Sequence, residues 1–494
     1  MFALGFSEIL NVVTIGFIAF GVFIGIVFGA IPGLTGTMAV AMLLPLTFGM
    51  SPVNALSMLM GLYIGSCSGG LISAILLNIP GTASSIATTF DGHPMAVKGQ
   101  AGKALGIGIV SSFFGGLFSF IALFFLAPKI AQLAVLCGPL EYFGLTFFAL
   151  MLISTVSGDK PLKGLIAGFI GMALSIVGIS SMDGYPRFTF GILELSSGLS
   201  LLPALVGLFA ISELLKVVQS GDKGEQGELE SYHIQGFGFS LQDVKGQCRN
   251  FLQSCMIGTV IGILPGLGGS TANILSYVVA KNTSKHPEAF GTGIVDGIVA
   301  SETANNAAVG GALVPLLTLG IPGDTFTAML IGAFMIHGIT PGPLLFKTNG
   351  PLVYAIFAAL IVANILMVVF EYGFMRMFVK MLNIPKHILF PLIIVLCVVG
   401  SYGLNNRIFD AWTLLLFGII GYALSKTEFP LSPVILGFIL GPMVELYLRR
   451  GLQMTEGNFL AFFKNPFCAT CLLLSAAVVA FSIFKMNKHT KEVS

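Results

Sequence analysis

Charge is scarce in this chain. Only 9% of its 494 residues are Asp, Glu, Lys or Arg, against about 25% in an average soluble protein. A soluble globule of this length needs charge to cover its surface, so lipid must be the solvent for much of it. The 24 basic and 22 acidic residues nearly cancel, to +2, and nothing suggests a nucleic-acid partner. The seven cysteines (Cys67, Cys137, Cys248, Cys255, Cys397, Cys468, Cys471) are scattered. Cys468 and Cys471 form a single C-x-x-C without a second pair, so packing is expected there and zinc is not. H-E-x-x-H and G-x-x-x-x-G-K-[ST] are both missing, and Asp324 has no second aspartate in a comparable Gly-Asp motif. An intramembrane protease or an ATP-driven pump therefore has no anchor here, and no resident cofactor or metal is expected. The start, MFALGFSEILNVV, lacks a basic segment and a small-residue cleavage site. The first apolar run is thus read as a retained helix.

Apolar residues fill the space that charge leaves. They make up 55% of the chain, with mean hydropathy +0.94. A spanning helix needs roughly 20 apolar residues to cross about 30 Å of hydrocarbon. Apolar stretches lie near 9–30, 37–50, 55–78, 103–127, 133–156, 161–181 and 199–218, and again near 251–280, 293–320, 325–340, 351–380, 387–404, 408–425, 430–447 and 466–484. They are continuous rather than alternating, which favours helices over a β-barrel. The expected fold is an all-α polytopic membrane protein with about 10–12 transmembrane helices, the shorter stretches serving as half-helices or re-entrant pieces. The polar interval 219–250 reads as a loop between two halves, 1–218 and 251–494. Basic residues mark cytoplasmic ends, so the Arg376, Lys380, Lys386 cluster and the tail Lys485, Lys488, Lys491 are assigned inside. Arg449 and Arg450 then face outward.

The halves share a pattern. Gly29-Ala-Ile-Pro32-Gly33-Leu34-Thr35-Gly36-Thr37 resembles Gly262-Ile-Leu-Pro265-Gly266-Leu267-Gly268-Gly269-Ser270. Asn78-Ile79-Pro80-Gly81-Thr82-Ala83-Ser84 resembles Gly320-Ile321-Pro322-Gly323-Asp324-Thr325-Phe326. The offset from Pro32 to Pro265 nearly equals that from Pro80 to Pro322. Two matched pairs in order imply two homologous repeats, expected to be inverted. Proline breaks a helix and glycine permits left-handed backbone. Broken backbone within a bilayer is tolerated only where protein, water or a solute satisfies it. Half-helix N-termini suit a carboxylate and freed carbonyls suit a cation. Secondary transporters place both at such paired interruptions. A turn or kink of no further consequence is the competing reading of any one such motif.

Polar residues beside the breaks complete the candidate set. Thr35, Thr37, Ser270 and Asn273 follow the first break of each half; Thr82, Ser84, Ser85, Asp324 and Thr325 follow the second. Asp324 is read first as a helix cap and second as a cation ligand. Glu302, Asn305 and Asn306 lie on one side of a helix, either inside the membrane or in a solvated first turn. The run 89–103, Gly-rich and basic, reads as a surface turn. His337 reads as a helix end.

These motifs resemble the large membrane subunit of tripartite tricarboxylate transporters, the TctA type. The residues that carry the resemblance are Gly29–Thr37 with Pro45, Asp91–Lys103, Leu264–Tyr277, Gly291–Leu319 and Gly320–Pro343, above all the run Ser301–Pro315. The resemblance covers nearly the whole chain. It implies a multi-pass protein of a bacterial inner membrane that takes up citrate or a related organic acid. A periplasmic solute-binding protein would deliver the acid, a small membrane subunit would accompany this large one, and a sodium or proton gradient would drive uptake. Repeats of opposed orientation would alternate access. A membrane sensor or scaffold, or an intramembrane enzyme, is the competing class. Neither needs two matched sets of broken helices.

Overall fold

The computed structural model describes residues 2–152, 160–180, 182–220, 243, 246–382 and 386–493. Most of the polar interval 219–250 lies outside the described residues, as do the side chains of Lys386, Lys485, Lys488 and Lys491. The chain is helical almost throughout. In order come α1 (Phe2–Ile9), α2 (Val12–Ala30), α3 (Gly36–Leu43), α4 (Pro52–Leu77), α5 (Ile86–Met95), α6 (Ala101–Ala134), α7 (Pro139–Met151), α8 (Pro161–Ser175) and α9 (Leu201–Gln219). There follow α10 (Cys248–Ile263), α11 (Gly268–Thr283), α12 (Val295–Leu319), α13 (Thr325–Ile336), α14 (Gly350–Met381), α15 (Lys386–Asn405), α16 (Ile408–Lys426), α17 (Leu431–Met454) and α18 (Pro466–Val493).

Among the described residues, eight helices are long and apolar enough to cross a membrane, and five further apolar helices are shorter. The chain is thus an all-α polytopic membrane protein. α12 has the length, at 25 residues, but is not one of the eight. Its polar stretch from Ser301 to Asn306 lowers its hydropathy, and protein rather than lipid surrounds it: those residues are all buried.

Two compact units emerge, each built from two separate stretches of the chain. The first comprises 1–129 and 217–396, the second 130–216 and 397–494. In the first, α2 and α4 close on a glycine seam. Gly21, Gly25 and Gly29 of α2 and Gly61, Gly65 and Gly69 of α4 recur every fourth residue. A Cβ on any of them would sit 2.0–2.5 Å from a carbonyl oxygen of the other helix. Small residues at this spacing let helix backbones touch in a membrane, where packing rather than the hydrophobic effect drives association. Gly21 faces Met58, Gly25 faces Leu62 and Gly29 faces Ser66, so the helices run parallel. The chain between them must double back. α3 and the turn Leu44–Gly49 do so, bringing Asn54 within 2.7 Å of Thr14, whose hydroxyl donates to it.

The same seam closes α10 on α12. Gly258 faces the Ala304 carbonyl, Gly262 that of Ala308, and Gly311 that of Thr259, at 2.4–2.5 Å from the added Cβ. The corresponding first-half contacts are Gly25 with Leu62, Gly29 with Ser66, and Gly69 with Ile26. From α2 to α10 these positions keep the offset that separates Pro32 from Pro265. From α4 to α12 they keep the one that separates Pro80 from Pro322.

In the second unit, Gly171 of α8 and Gly437 of α17 make a comparable approach, to the carbonyls of Val434 and Gly168. A two-residue antiparallel ladder pairs Gly178 with Arg187. Arg187 bonds Glu445, and Arg449 bridges Asp183 and Glu445, tying that ladder and its turn to α17.

Candidate functional site

All the candidate residues lie in the first unit, and the helix ends define where. α2 stops at Ala30 and α3 starts at Gly36, with Pro32 and Gly33 between them. α10 stops at Ile263 and α11 starts at Gly268, with Pro265 and Gly266 between. Gly33 and Gly266 both adopt left-handed backbone, φ 87° and 83°. Asn78 ends α4 at φ 55° and Gly320 ends α12 at φ 73°, the conformation that lets a helix close on its own carbonyls. Pro80-Gly81 and Pro322-Gly323 follow these ends.

Each second break then re-enters on a capped turn. The Thr82 amide donates to Ser85 Oγ at 3.3 Å, ahead of a short 3-10 turn and α5. The Asp324 amide donates to Thr327 Oγ1 at 2.8 Å, and Asp324 Oδ1 accepts from the Thr327 amide at 2.8 Å. Asp324 is therefore the cap expected of it. A Cβ on Gly81 would meet the Gly29 carbonyl at 2.1 Å, and one on Gly323 would meet the Gly262 carbonyl at 2.8 Å. In both halves the second break thus lies on the glycine three residues before the first break's proline. The Gly266 amide also donates to the Gly323 carbonyl at 2.8 Å.

The two halves meet crosswise at these breaks. A Cβ on Gly36, at the start of α3, would touch Phe326 at 3.2 Å; one on Gly269, at the start of α11, would touch Ser84 at 3.2 Å. Each first break therefore faces the second break of the other half. Tyr63 of α4 stacks on Phe326 with ring centroids 4.0 Å apart, and its hydroxyl donates to Asp324 Oδ2. Gly268 lies against the Asp324 side chain. One turn along α4, the Cys67 carbonyl accepts from Asn305 Nδ2 at 3.1 Å. Moving back along α4 from Cys67 to Tyr63 corresponds to moving on along α12 from Asn305 to Ala312, where Gly323 packs. α4 and α12 therefore cross in opposite directions.

Hydroxyls and amides line this crossing. Thr35 caps α3 by accepting from the Met38 amide at 3.2 Å and lies 2.9 Å from the Thr37 hydroxyl. Thr82 and Ser84 hydroxyls are 3.1 Å apart. Asn273 Oδ1 accepts from the Ala87 amide at 2.8 Å, and its Nδ2 donates to the Ser301 carbonyl at 3.1 Å. Ser270 and Thr325 are half-buried in the first turns of α11 and α13. Asn306 is turned to its own helix, donating to the Glu302 carbonyl at 3.1 Å. Asn305 Oδ1 is buried without a hydrogen-bond partner, 2.9 Å from where a Gly269 Cβ would be. Glu302 is fully buried two turns into α12, so it does not belong to a solvated first turn. Thr88 donates to its Oε1 and Ser112 to its Oε2, the latter at 3.2 Å.

One expectation is overturned. Residues 89–95 are not a surface turn but the body of α5, which continues through a π-helical turn at 96–100 into α6. Asp91 is fully buried. Its Oδ1 accepts from the amides of Gly291, Gly293 and Ile294 at 2.8–3.1 Å, and its Oδ2 from the Tyr277 hydroxyl at 2.9 Å. A carboxylate so fully bonded can leave water. Only Phe90 and 97–100 stay exposed. His337 ends α13, as expected.

Sequence reasoning also passed over Tyr63, Ser66, Thr88, Asp91, Ser112, Tyr277 and Glu371. A signal existed for Glu371: it is the one carboxylate in the apolar run 351–380, the same anomaly that singled out Glu302. Tyr63 and Thr88 offered none, because their role comes from partners more than 200 residues away.

With this geometry in hand, the chain can be set beside known proteins. The sequence profile described as the tripartite tricarboxylate transporter TctA family matches residues 15–436. An uncharacterized 52.8 kDa protein from the TAR-I ttuC′ 3′ region of Agrobacterium vitis is 37% identical over 490 residues, covering 99% of this chain and 97% of that protein. A second uncharacterized protein, from the TAR-II ttuC′ 3′ region of the same organism, is 39% identical over 235 residues, covering 48% of this chain and 97% of its own length. No solved structure matches.

Proposed function

We propose, from the premise that this chain belongs to the TctA family of tripartite tricarboxylate transporters, that it carries a tricarboxylate or related organic acid through the crossing of its four helix breaks. Family membership implies a multi-pass membrane protein, the large subunit of such a transporter. The finer reading adds a bacterial inner membrane, a periplasmic solute-binding protein that delivers the acid, a small membrane subunit, and a sodium or proton gradient as the driving force.

The observation that carries the reading is the crosswise meeting of the breaks, Gly36 with Phe326 and Gly269 with Ser84. It gathers the N-termini of α3 and α11, with their free amides and partial positive charge, at one place. Carboxylates are the natural ligand of such ends. Hydroxyls of Thr35, Thr37, Thr82, Ser84 and Ser270 add neutral donors that bind an anion without holding it permanently. Among the described residues no lysine or arginine is bonded within this crossing. An anion entering there therefore needs a proton or cation with it. The glycine-seam contacts that recur at the offsets of the two proline pairs, and the opposed directions of α4 and α12, support two inverted repeats.

Basic residues support an orientation. Lys98 donates to the Thr292 carbonyl ahead of α12, Lys103 pairs with Asp243, and Tyr372 reaches Gly106 at the start of α6. These bonds place Lys98, Lys103, Arg249, Lys281, Lys285, Arg376 and Lys380 at one end of the first unit. Lys129 and Lys347 remain for the other. The richer end is the cytoplasmic one.

The test is uptake by vesicles holding the large and small subunits with the binding protein, offered citrate and other di- and tricarboxylates while sodium and pH are varied. Gradient-dependent accumulation of one of these acids is expected. A properly inserted complex that accumulates none of them under any gradient would overturn the reading.

A further inference from the structure

A further carboxylate is buried beside the crossing. Glu371 of α14 is fully buried. Ser68, the residue after Cys67 on α4, donates to its Oε2 at 3.0 Å. Its Oε1 is buried with no hydrogen-bond partner, and among the described residues no lysine or arginine pairs with it. Glu302 differs, because hydroxyls serve both of its oxygens. An ionised carboxylate accepts at about four lone-pair sites. Glu371 has one donor, so its charge is uncompensated where compensation matters most.

A metal cation is a poor answer. Hard cations take about six or more oxygens, and among the described residues Ser68 is the one oxygen bonded to Glu371. Among the described residues no group of three His, Cys, Asp or Glu could hold a metal. A proton needs only the free Oε1.

We propose that Glu371 carries the proton that couples to solute uptake. The proposal rests on the transport reading above and names its coupling ion. A proton from the outer water bonds to Oε1 and neutralises the side chain. When the site opens inward, that O–H bond breaks, the proton passes to cytoplasmic water and the carboxylate re-forms. Ser68 links the event to the crossing, one residue from the carbonyl that holds Asn305.

The surroundings contain no competing counter-charge. α12 presents Glu302 and α14 itself Tyr372, while Arg376 and Lys380 further along α14 are exposed, and α4 bears Tyr63 and Cys67. α6 carries Lys103, already paired with Asp243, and Lys129 at its far end, beyond Phe124, which packs on Tyr354. α2 has no titratable residue. Glu8 of α1 and Lys347 belong to the opposite end of α14, where Gly5 packs on Tyr354, roughly 25 Å along the helix from Glu371.

The experiment uses the vesicles described above with the acid that the wild type carries, citrate first, under an imposed pH difference without sodium. One coupled proton supports about a tenfold accumulation per pH unit. Glu371→Gln is expected to reduce the accumulation ratio to 1, and Glu371→Asp to restore part of it. Ser68→Ala keeps the carboxylate but removes its one donor, and should move the pH profile of uptake to higher pH. If Glu371→Gln does not insert, the Ser68→Ala profile decides: an unmoved profile overturns the proposal. So does a Glu371→Gln protein that concentrates the acid as the wild type does. A wild type driven by sodium alone, with no proton movement, overturns this proposal and leaves the transport reading standing. A wild type that carries no carboxylate overturns both.

Discussion

Gly81 offers the sharpest test of the packing at the breaks. Its φ is not left-handed, so a side chain there carries no backbone strain, and whatever alanine does must come from space. The added Cβ would lie 2.1 Å from the Gly29 carbonyl oxygen, 2.6 Å from Ser73 Oγ and 2.9 Å from Gly70 Cα. Ordinary carbon–oxygen contact begins near 3.4 Å, so the second break must move away from α2 by more than an ångström. Ser73 can rotate aside, but the Gly29 carbonyl belongs to a helix already seated on Ser66. Overpacking of this kind costs about 1–3 kcal/mol, which shifts an equilibrium between two arrangements by about 5- to 150-fold. Gly81→Ala should therefore still insert, but with a lower thermal midpoint in detergent and solute uptake reduced by about tenfold or more. Gly16 of α2 is the control, because nothing lies within 4 Å of its added Cβ. There alanine should be neutral or stabilising by about 0.5–1 kcal/mol. Uptake by Gly81→Ala equal to that of Gly16→Ala would refute the argument.

Other outcomes follow from single contacts. Tyr63→Phe keeps the stack on Phe326 but removes the donor to Asp324, which should cost about 1.5–3 kcal/mol; thermal denaturation of the purified protein reads the loss, and an unchanged midpoint would count against the bond. Asp91→Ala leaves the amides of Gly291, Gly293 and Ile294 without their acceptor, and hydrogen exchange at those three positions should accelerate while the α2–α4 seam stays protected. Ser84→Cys with Gly269→Cys places two sulfurs across the halves, since those Cβ positions lie 3.2 Å apart, close to disulfide spacing. Oxidation should stop uptake and reduction restore it.

Much of this was legible before any coordinates. Helices follow from apolar run length, and the helix ends beside Pro32, Pro80, Pro265 and Pro322 from local Pro-Gly pairs. The part that escaped is non-local. One such part is what shields Ser301 to Asn306, for these polar residues are tolerated in α12 because α4, α5 and α11 surround them. The run 89–103 looked like a surface turn because Asp91, His93 and Gly99 suggest one. What buries Asp91 is a set of three amides some 200 residues on, and no local pattern announces those. Assigning the carboxyl-terminal helices to the second half was equally natural in one dimension. Chain proximity cannot reveal that 397–494 forms a compact unit with 130–216.

Contacts in the first unit are of two kinds, and the difference indicates where it yields first. Inside each half, α2 on α4 and α10 on α12 touch backbone to backbone, at distances where an added carbon finds no room. Sliding one helix past its mate by a residue would drive a side chain into a carbonyl, so each parallel pair behaves as one rigid piece. Between the halves both kinds occur. α6 and α12 touch backbone to backbone as well, a Cβ on Gly115 lying 2.2 Å from the Thr303 carbonyl and one on Gly310 2.6 Å from that of Ser119. At the helix breaks the contacts are instead a tyrosine stacked on a phenylalanine, an amide on one carbonyl, and an asparagine oxygen with nothing bonded to it. Side chains can exchange such partners at small cost, so any movement within this unit starts at the breaks, where the proposed solute site lies.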